Sequence, residues 1–288
     1  MKILITGISG FTGPYLKEEM TQHGHEVLGL KSDLLDKNSL QREIEEILPE
    51  AVVHLAGISF VGHGTIEDFY RVNLLGTYHL LEALEKSNAP LKSLMLCSTG
   101  NVYGDAGAQG TPLSEETPPC PKNDYAVSKV AMELMAHLWK DRLPLFIVRP
   151  FNYTGVGQSL NFLVPKIVDH LLKKKSSIEL GNLNVFREFS DVRTVVYLYR
   201  KLLEIAPVGQ TLNVCSGIVY SLKEVLDVGE KLSGHRLMVH SNPSLKRGKD
   251  IYMLKGDQSR LKSLVTDWPF FSLEDTIMWL LTKNGNEL

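Results

Sequence analysis

Apolar and polar positions along the chain follow two alternating rhythms. Short, nearly unbroken apolar runs at Lys2–Thr6, His25–Leu30, Ala51–Leu55, Leu91–Cys97, Pro144–Arg149 and Gln210–Cys215 predict strands buried on both faces. Between them lie stretches of helical period, beginning at Tyr15, then Asp36 to Leu48, about Glu67 to Lys86, 124 to 139 and Val192 to Ile205. Strand and helix in strict alternation predict an α/β fold, a doubly wound parallel sheet covered by helices. A helix starting near Asn161, one opened by a Ser221–Glu224 capping box, and a last one from Ser272 fall outside that alternation. They predict a smaller lobe. The expected division is 1–154 plus 186–219 for the sheet domain and 155–185 plus 220–288 for the lobe, which is discontinuous.

The first strand ends in Gly7-Ile-Ser-Gly10-Phe11-Thr-Gly13, and a helix begins at once. Strand, glycine turn and helix in that order form a cradle for a dinucleotide, with the helix N-terminus facing the phosphates. Gly7 permits the tight turn, Gly10 lets backbone approach the pyrophosphate, and Gly13 allows close helix packing. A fold that prefers NAD carries an acidic residue at the end of the second strand. Lys31-Ser32 stands there instead and suits a 2′-phosphate, which tilts the expectation toward NADPH over NADH.

Tyr125 and Lys129 are one turn apart on a helix face. An ammonium beside a phenol favours the phenolate, so the tyrosine's pKa is expected to fall toward working pH. A phenol tuned that way exchanges a proton with a sugar or ketone oxygen. Thr99, after the buried Leu91–Cys97 run, adds a hydroxyl that can stabilise a developing alkoxide.

The glycine turn, the Ser98-Thr99 pair and Tyr125-Ala-Val-Ser-Lys129 together resemble the extended, nucleotide-sugar-modifying branch of the short-chain dehydrogenase/reductase superfamily. The resemblance covers essentially the whole chain. It implies a Rossmann-type domain with catalytic Thr99, Tyr125 and Lys129. It also implies a dinucleotide against Phe11, the Asp33-Leu34 pair, Leu55, Ala56, Gly57, Pro150 and Phe151. Asn73 reads as support between strands. Substrate contacts implied are Ser59, Thr99, Asn101, Asn152, Asn161, Phe162 and two diphosphate arginines, Arg187 and Arg247, the latter competing with Lys246 and Lys249. Glu188 stands where the family usually has Asp.

The residues just after Thr99 narrow the reaction type. Sugar dehydratases of this family carry acidic residues there, and this chain has Gly100 and Asn101. The epimerase-reductases that make GDP-fucose place a cysteine nearby, whereas Cys97 lies before Thr99, inside the strand. Arg149-Pro-Phe-Asn-Tyr-Thr-Gly-Val-Gly-Gln158 is similar to a segment of the GDP-4-keto-6-deoxy-mannose reductases. The resemblance therefore implies NAD(P)H-dependent reduction at C4 of a nucleotide-linked 4-keto-6-deoxyhexose, GDP favoured over dTDP, giving a rhamnose or talose product. A nucleotide-sugar 4-epimerase and a non-catalytic dinucleotide sensor stay open beside it. Helices 67–86 and 124–139 would pair across a two-fold axis in a homodimer.

Composition removes other classes. A formal charge of −2 over 288 residues gives no basic footprint for nucleic acid. Three scattered cysteines fit neither a disulfide framework nor a metal site, and Cys97 and Cys215 read as buried, inert thiols. With no membrane-length apolar run and no leader pattern, a cytoplasmic protein without membrane contact is expected.

Overall fold

The computed structural model describes residues 1–59, 65–107, 110–242 and 251–285. Its first half alternates as the apolar pattern predicts: β1 (Lys2–Thr6), α1 (Thr12–Gln22), β2 (Glu26–Gly29), α2 (Lys37–Ile47), β3 (Ala51–His54), α3 (Ile66–Asp68), α4 (Thr77–Lys86), β4 (Ser93–Cys97), α5 (Asp124–His137) and β5 (Leu145–Pro150). The second half adds β6 (Tyr153–Thr154), α6 (Leu163–Leu172), β7 (Ser177–Leu180), β8 (Phe186–Arg187), β9 (Ser190–Asp191), α7 (Val192–Ile205) and β10 (Thr211–Val214). It closes with β11 (Tyr220–Ser221), α8 (Leu222–Ser233), β12 (Met238–Ser241), β13 (Met253–Leu254), α9 (Ser259–Leu264) and α10 (Leu273–Gly285).

Six strands form one parallel sheet in the order β10-β5-β4-β3-β1-β2. The chain steps outward from β1 to β2, then returns to place β3 on the other flank of β1. That reversal opens a crevice beyond the carboxyl ends of β1 and β3, where open α/β sheets bind ligands. Ile3, Ile5, Val53 and Val148 point to a core under α1 and α7. Leu4, Val52, Leu94 and Ile147 point to the opposite core under α2, α4 and α5. A third cluster joins α6, β7, α8 and α10 through Val164, Ile178, Val225 and Ile277.

Helix ends are fixed by side chains. Asp36 caps α2 through Ser39, and Leu48 stops it in the left-handed region at φ 48°. The expected Ser221–Glu224 capping box opens α8. Lys173, in the run of three lysines, pairs with Asp169 at 2.6 Å, which makes it a helix end. The rod expected from 67 to 86 is not uniformly α-helical: Phe69–Gly76 widens into a π-helical segment between α3 and α4. Thr77 Oγ1 donates to the Asn73 carbonyl at 2.7 Å, giving that carbonyl a partner in the widened turn.

Candidate active site

The glycine cradle is built by close approach. Gly7 adopts φ +70°, and a Cβ there would lie 2.8 Å from Ala56 N. A Cβ on Gly13 would lie 2.0 Å from the Ile8 carbonyl oxygen. A side chain at Gly7 would push the turn away from the β3 exit, and one at Gly13 would push the start of α1 away from the Ile8 backbone, so the residues present suit a dinucleotide's pyrophosphate. Phe11 stacks on Tyr153 with centroids 6.0 Å apart. At the end of β2, Lys31 N and Ser32 N donate to the Glu43 carboxylate at 2.9 and 2.7 Å. These residues, with Arg42 and Glu46, line an open cavity of about 430 Å³. Asp33 Oδ1 accepts from Leu35 N, and Leu34 is buried, its carbonyl hydrogen-bonded to the His79 ring.

Leaving β4, Thr99 begins a short 3-10 turn over Gly100–Tyr103. Its Oγ1 accepts from both N and Nδ2 of Asn101, each at 3.2 Å. Asn123 caps α5 through Ala126 N at 2.9 Å, and this aims Tyr125 inward at the first turn. The Thr99 hydroxyl lies beside the Tyr125 phenol, close enough to work against the rise in its pKa. With its lone pairs turned to Asn101, the Thr99 hydroxyl keeps its own proton to give. Lys129 Nζ donates to the Cys97 carbonyl at 2.8 Å, and a Cβ on Gly57 would lie 3.4 Å from that nitrogen. The structure thus brings Thr99, Tyr125, Lys129 and Gly57 together beside the glycine cradle.

Electrostatics depart from the sequence expectation at Tyr125. Burial pushes its pKa above the ordinary 10.0, and the neighbouring Thr99 hydroxyl only partly offsets this. Lys129 is not among the groups that offset this rise; its ammonium donates to the Cys97 carbonyl and is itself pushed down by burial. The neutral phenol is the resting form. Cys97 and Cys215 match the inert reading, since burial raises both thiols.

Further along the crevice, Phe151 is buried and underlies Gly100, and Pro150 ends β5. Asn152 is half-buried, its carbonyl accepting from Ser190 N. Ser59 is exposed just beyond β3, and Asn161 and Phe162 lie at the entrance to α6. Arg187 donates to the carbonyls of Phe186, Ile251 and Tyr252. Arg247, Lys246 and Lys249 lie outside the described residues. Glu188 fits where Asp is usual: its longer carboxylate accepts from Ser216 N, Ser216 Oγ, Gly217 N and Gly256 N, bridging two loops.

Three buried groups behind the site do not stand out in the sequence. Glu133, two turns beyond Tyr125, takes the Ser98 hydroxyl and a forked pair from Arg149. Arg149 also donates to the Tyr103 hydroxyl at 2.8 Å, which donates on to Asn213 at 2.7 Å. The third, His54, is enclosed between two threonines. Only the Tyr-Lys spacing hints at Glu133, the next residue in the same i, i+4 series. A second cavity of about 270 Å³, between α7 and the 268–273 segment, contains none of Thr99, Tyr125 or Lys129.

Comparison with known proteins adds a consistent set of relatives. The family described as NAD dependent epimerase/dehydratase matches residues 3–215. A protein named GDP-6-deoxy-D-talose 4-dehydrogenase, from Aggregatibacter actinomycetemcomitans, is 37% identical over 95% of this chain and 94% of its own. The GDP-6-deoxy-D-mannose reductase of Pseudomonas aeruginosa is 30% identical over 98% of this chain and 96% of its own. The solved structure of RMD from Pseudomonas aeruginosa complexed with NADPH covers 100% of both chains at a TM-score of 0.91 and 28% identity.

Proposed function

The chain belongs to the NAD dependent epimerase/dehydratase family, and from that footing we propose that it is an NAD(P)H-dependent 4-ketoreductase. Its substrate would be GDP-4-dehydro-6-deoxy-D-mannose, and its product GDP-D-rhamnose or the C4 epimer, GDP-6-deoxy-D-talose. The observation that carries this reading is the buried, neutral Tyr125 phenol, with the buried Thr99 hydroxyl and the Lys129 ammonium beside the glycine cradle. Gly100 and Asn101 offer no acid of the kind a dehydration needs. The names of the two relatives, both concerned with GDP-linked 6-deoxyhexoses, support the nucleobase and the sugar.

Residues 1–154 with 186–219 would hold the dinucleotide, and 155–185 with 220–288 the nucleotide sugar. Bound dihydronicotinamide supplies the hydride for C4. Tyr125 gives its proton to the C4 oxygen, and Thr99 orients the carbonyl with its own hydroxyl proton. Lys129 holds the nicotinamide ribose and favours the phenolate as it forms. Asn152, Asn161 and Phe162 position the nucleotide, with Arg187 and Arg247 on the diphosphate. Binding far from C4 then helps to align the reacting atoms. Lys31, Ser32 and Arg42 favour a 2′-phosphate, and NADPH is the proposed partner.

The test is cofactor oxidation with NADPH and NADH against GDP- and dTDP-4-keto-6-deoxyhexose, with NMR of the product's C4 proton. Turnover of the GDP sugar is expected, and its coupling pattern separates rhamnose from talose. Turnover of the dTDP sugar alone would refute the nucleobase assignment. No oxidation with either would refute the reductase.

A homodimer is part of the proposal. Leu134 on α5 and Leu138 at its C-cap are 65% and 74% exposed, and Val127 on α5, Leu75 in the π-helical segment and Tyr78 on α4 are exposed too. Helix faces of this kind are normally covered. Leu134→Glu combined with Leu138→Glu is expected to halve the mass measured by light scattering, from two 32.2 kDa chains to one. A wild-type monomer, or a variant that stays dimeric, would exclude this face.

A further inference from the structure

His54 ends β3 at the floor of the crevice, fully enclosed, and no step of the proposed reaction uses it. Its Nδ1 is 2.7 Å from Thr6 Oγ1 and its Nε2 is 2.8 Å from Thr77 Oγ1. Each threonine has only one proton, and the surroundings fix where it goes. Thr77 Oγ1 donates to the Asn73 carbonyl at 2.7 Å, so it must accept from Nε2–H. With the one proton of the neutral ring on Nε2, Nδ1 accepts from Thr6 Oγ1, which itself accepts from Ala56 N at 3.1 Å. The network therefore assigns the neutral Nε2–H form of His54.

Both ends of this chain of hydrogen bonds reach the site. At one end Thr6 holds Ala56, the residue against which Gly7 packs. At the other end Asn73 grips the Ile58 peptide, with Oδ1 accepting from its N–H at 2.9 Å and Nδ2 donating to its carbonyl at 3.2 Å. Asn73 Nδ2 also donates to Ser128 Oγ at 3.0 Å, which donates to the Tyr125 carbonyl at 2.8 Å. Thr6, His54, Thr77, Asn73 and Ser128 are each at most 1% exposed. A histidine that merely filled the core would not need a run of satisfied partners from the glycine turn to the catalytic helix.

We propose that His54 is a positioning residue: as the Nε2–H tautomer it is the central link of a one-directional relay, Ala56 N–H to Thr6 to His54 to Thr77 to Asn73, that sets the Ala56–Ile58 backbone against Tyr125. The inference rests on the reading of Tyr125 as the proton donor and of Ala56–Gly57 as dinucleotide-facing. Its role is geometric. A Val at 77 keeps the shape of Thr but removes the acceptor for Nε2–H, whereas a Ser keeps the hydroxyl.

Three readouts test it: ¹⁵N NMR of the His54 ring in the whole protein, cofactor dissociation constants by fluorescence titration, and kcat with KM. Wild type is expected to show a protonated Nε2 and a bare Nδ1; the opposite tautomer would overturn the relay. Thr77→Val is expected to lower kcat about ten-fold and to weaken NADPH binding, with KM for the keto sugar nearly unchanged. Thr77→Ser should keep both within about two-fold of wild type. Equal behaviour of the two variants, or a Thr77→Val that loses thermal stability alone, would reduce His54 to packing. If the wild type reduces no keto sugar, the functional reading fails, but the tautomer and the NADPH constants still decide the relay. If Thr77→Val does not fold, the tautomer decides it.

Discussion

Tyr125→Phe is expected to lower kcat for reduction of the keto sugar by about 10³-fold while leaving NADPH affinity within about two-fold. The substitution removes one oxygen from a buried site and leaves the ring in contact with Phe69. The loss is that of the proton donor, because a phenylalanine ring has no proton to give to the sugar oxygen. The direction of the phenol's shift also sets a pH dependence. A pKa raised by burial keeps Tyr125 protonated throughout the neutral range, so reductive kcat should not fall on the alkaline side below the phenol's ordinary value of 10.0. The reverse oxidation needs the phenolate and should rise with pH over that interval. Near-wild-type turnover by Tyr125→Phe would remove this residue from the chemistry.

Glu133→Ala is expected to destabilise the fold by about 3–5 kcal/mol, measured by urea denaturation. The carboxylate is buried among Ser98 and Arg149, and Arg149 is itself buried. Burial works against the Arg149 charge, but the Glu133 and Tyr103 hydrogen bonds hold its pKa above the ordinary range. Without Glu133 that cation keeps the Tyr103 ring and hydroxyl beside it but loses its ion-pair partner. Replacing both members, Glu133→Leu with Arg149→Met, should recover much of the loss, since an apolar pair leaves no stranded charge. A loss under about 1 kcal/mol in Glu133→Ala would mean that water reaches the pair.

Much of this architecture is legible in the sequence because its signals are local. Ile3 to Ile5 and Val52 to Val53 are apolar without alternation, as burial on both sheet faces demands. Gly7 and Gly13 mark a turn that a Cβ would break, and Tyr125 and Lys129 share a helix face by spacing alone. Other features come from contacts between residues far apart in the chain. Arg149 reads as the end of a strand; its pairing with Glu133 depends on how α5 crosses β5. His54 reads as one more position of a buried strand, since its partners Thr6 and Thr77 come from the first strand and from the helix after β3. The pKa of Tyr125 escapes a sequence reading for the same reason. Spacing places a lysine one turn away, but it does not show that Cys97 takes the ammonium or that desolvation prevails. Arg193 is equally silent in the sequence: it pairs with Asp191 at 2.7 Å and lies between the Phe271 and Trp279 rings, joining α7 to α10.

Transfer of label from the cofactor tests the central claim most directly. GDP-4-dehydro-6-deoxy-D-mannose would be reduced with NADPH carrying deuterium at both positions of nicotinamide C4, and the sugar examined by NMR and mass spectrometry. The expected result is one deuterium on sugar C4, replacing the H4 signal and adding a single mass unit. Reduction without deuterium at C4, or exchange at C3 or C5 with solvent while the cofactor keeps its label, would contradict hydride transfer to a keto carbon held beside Tyr125.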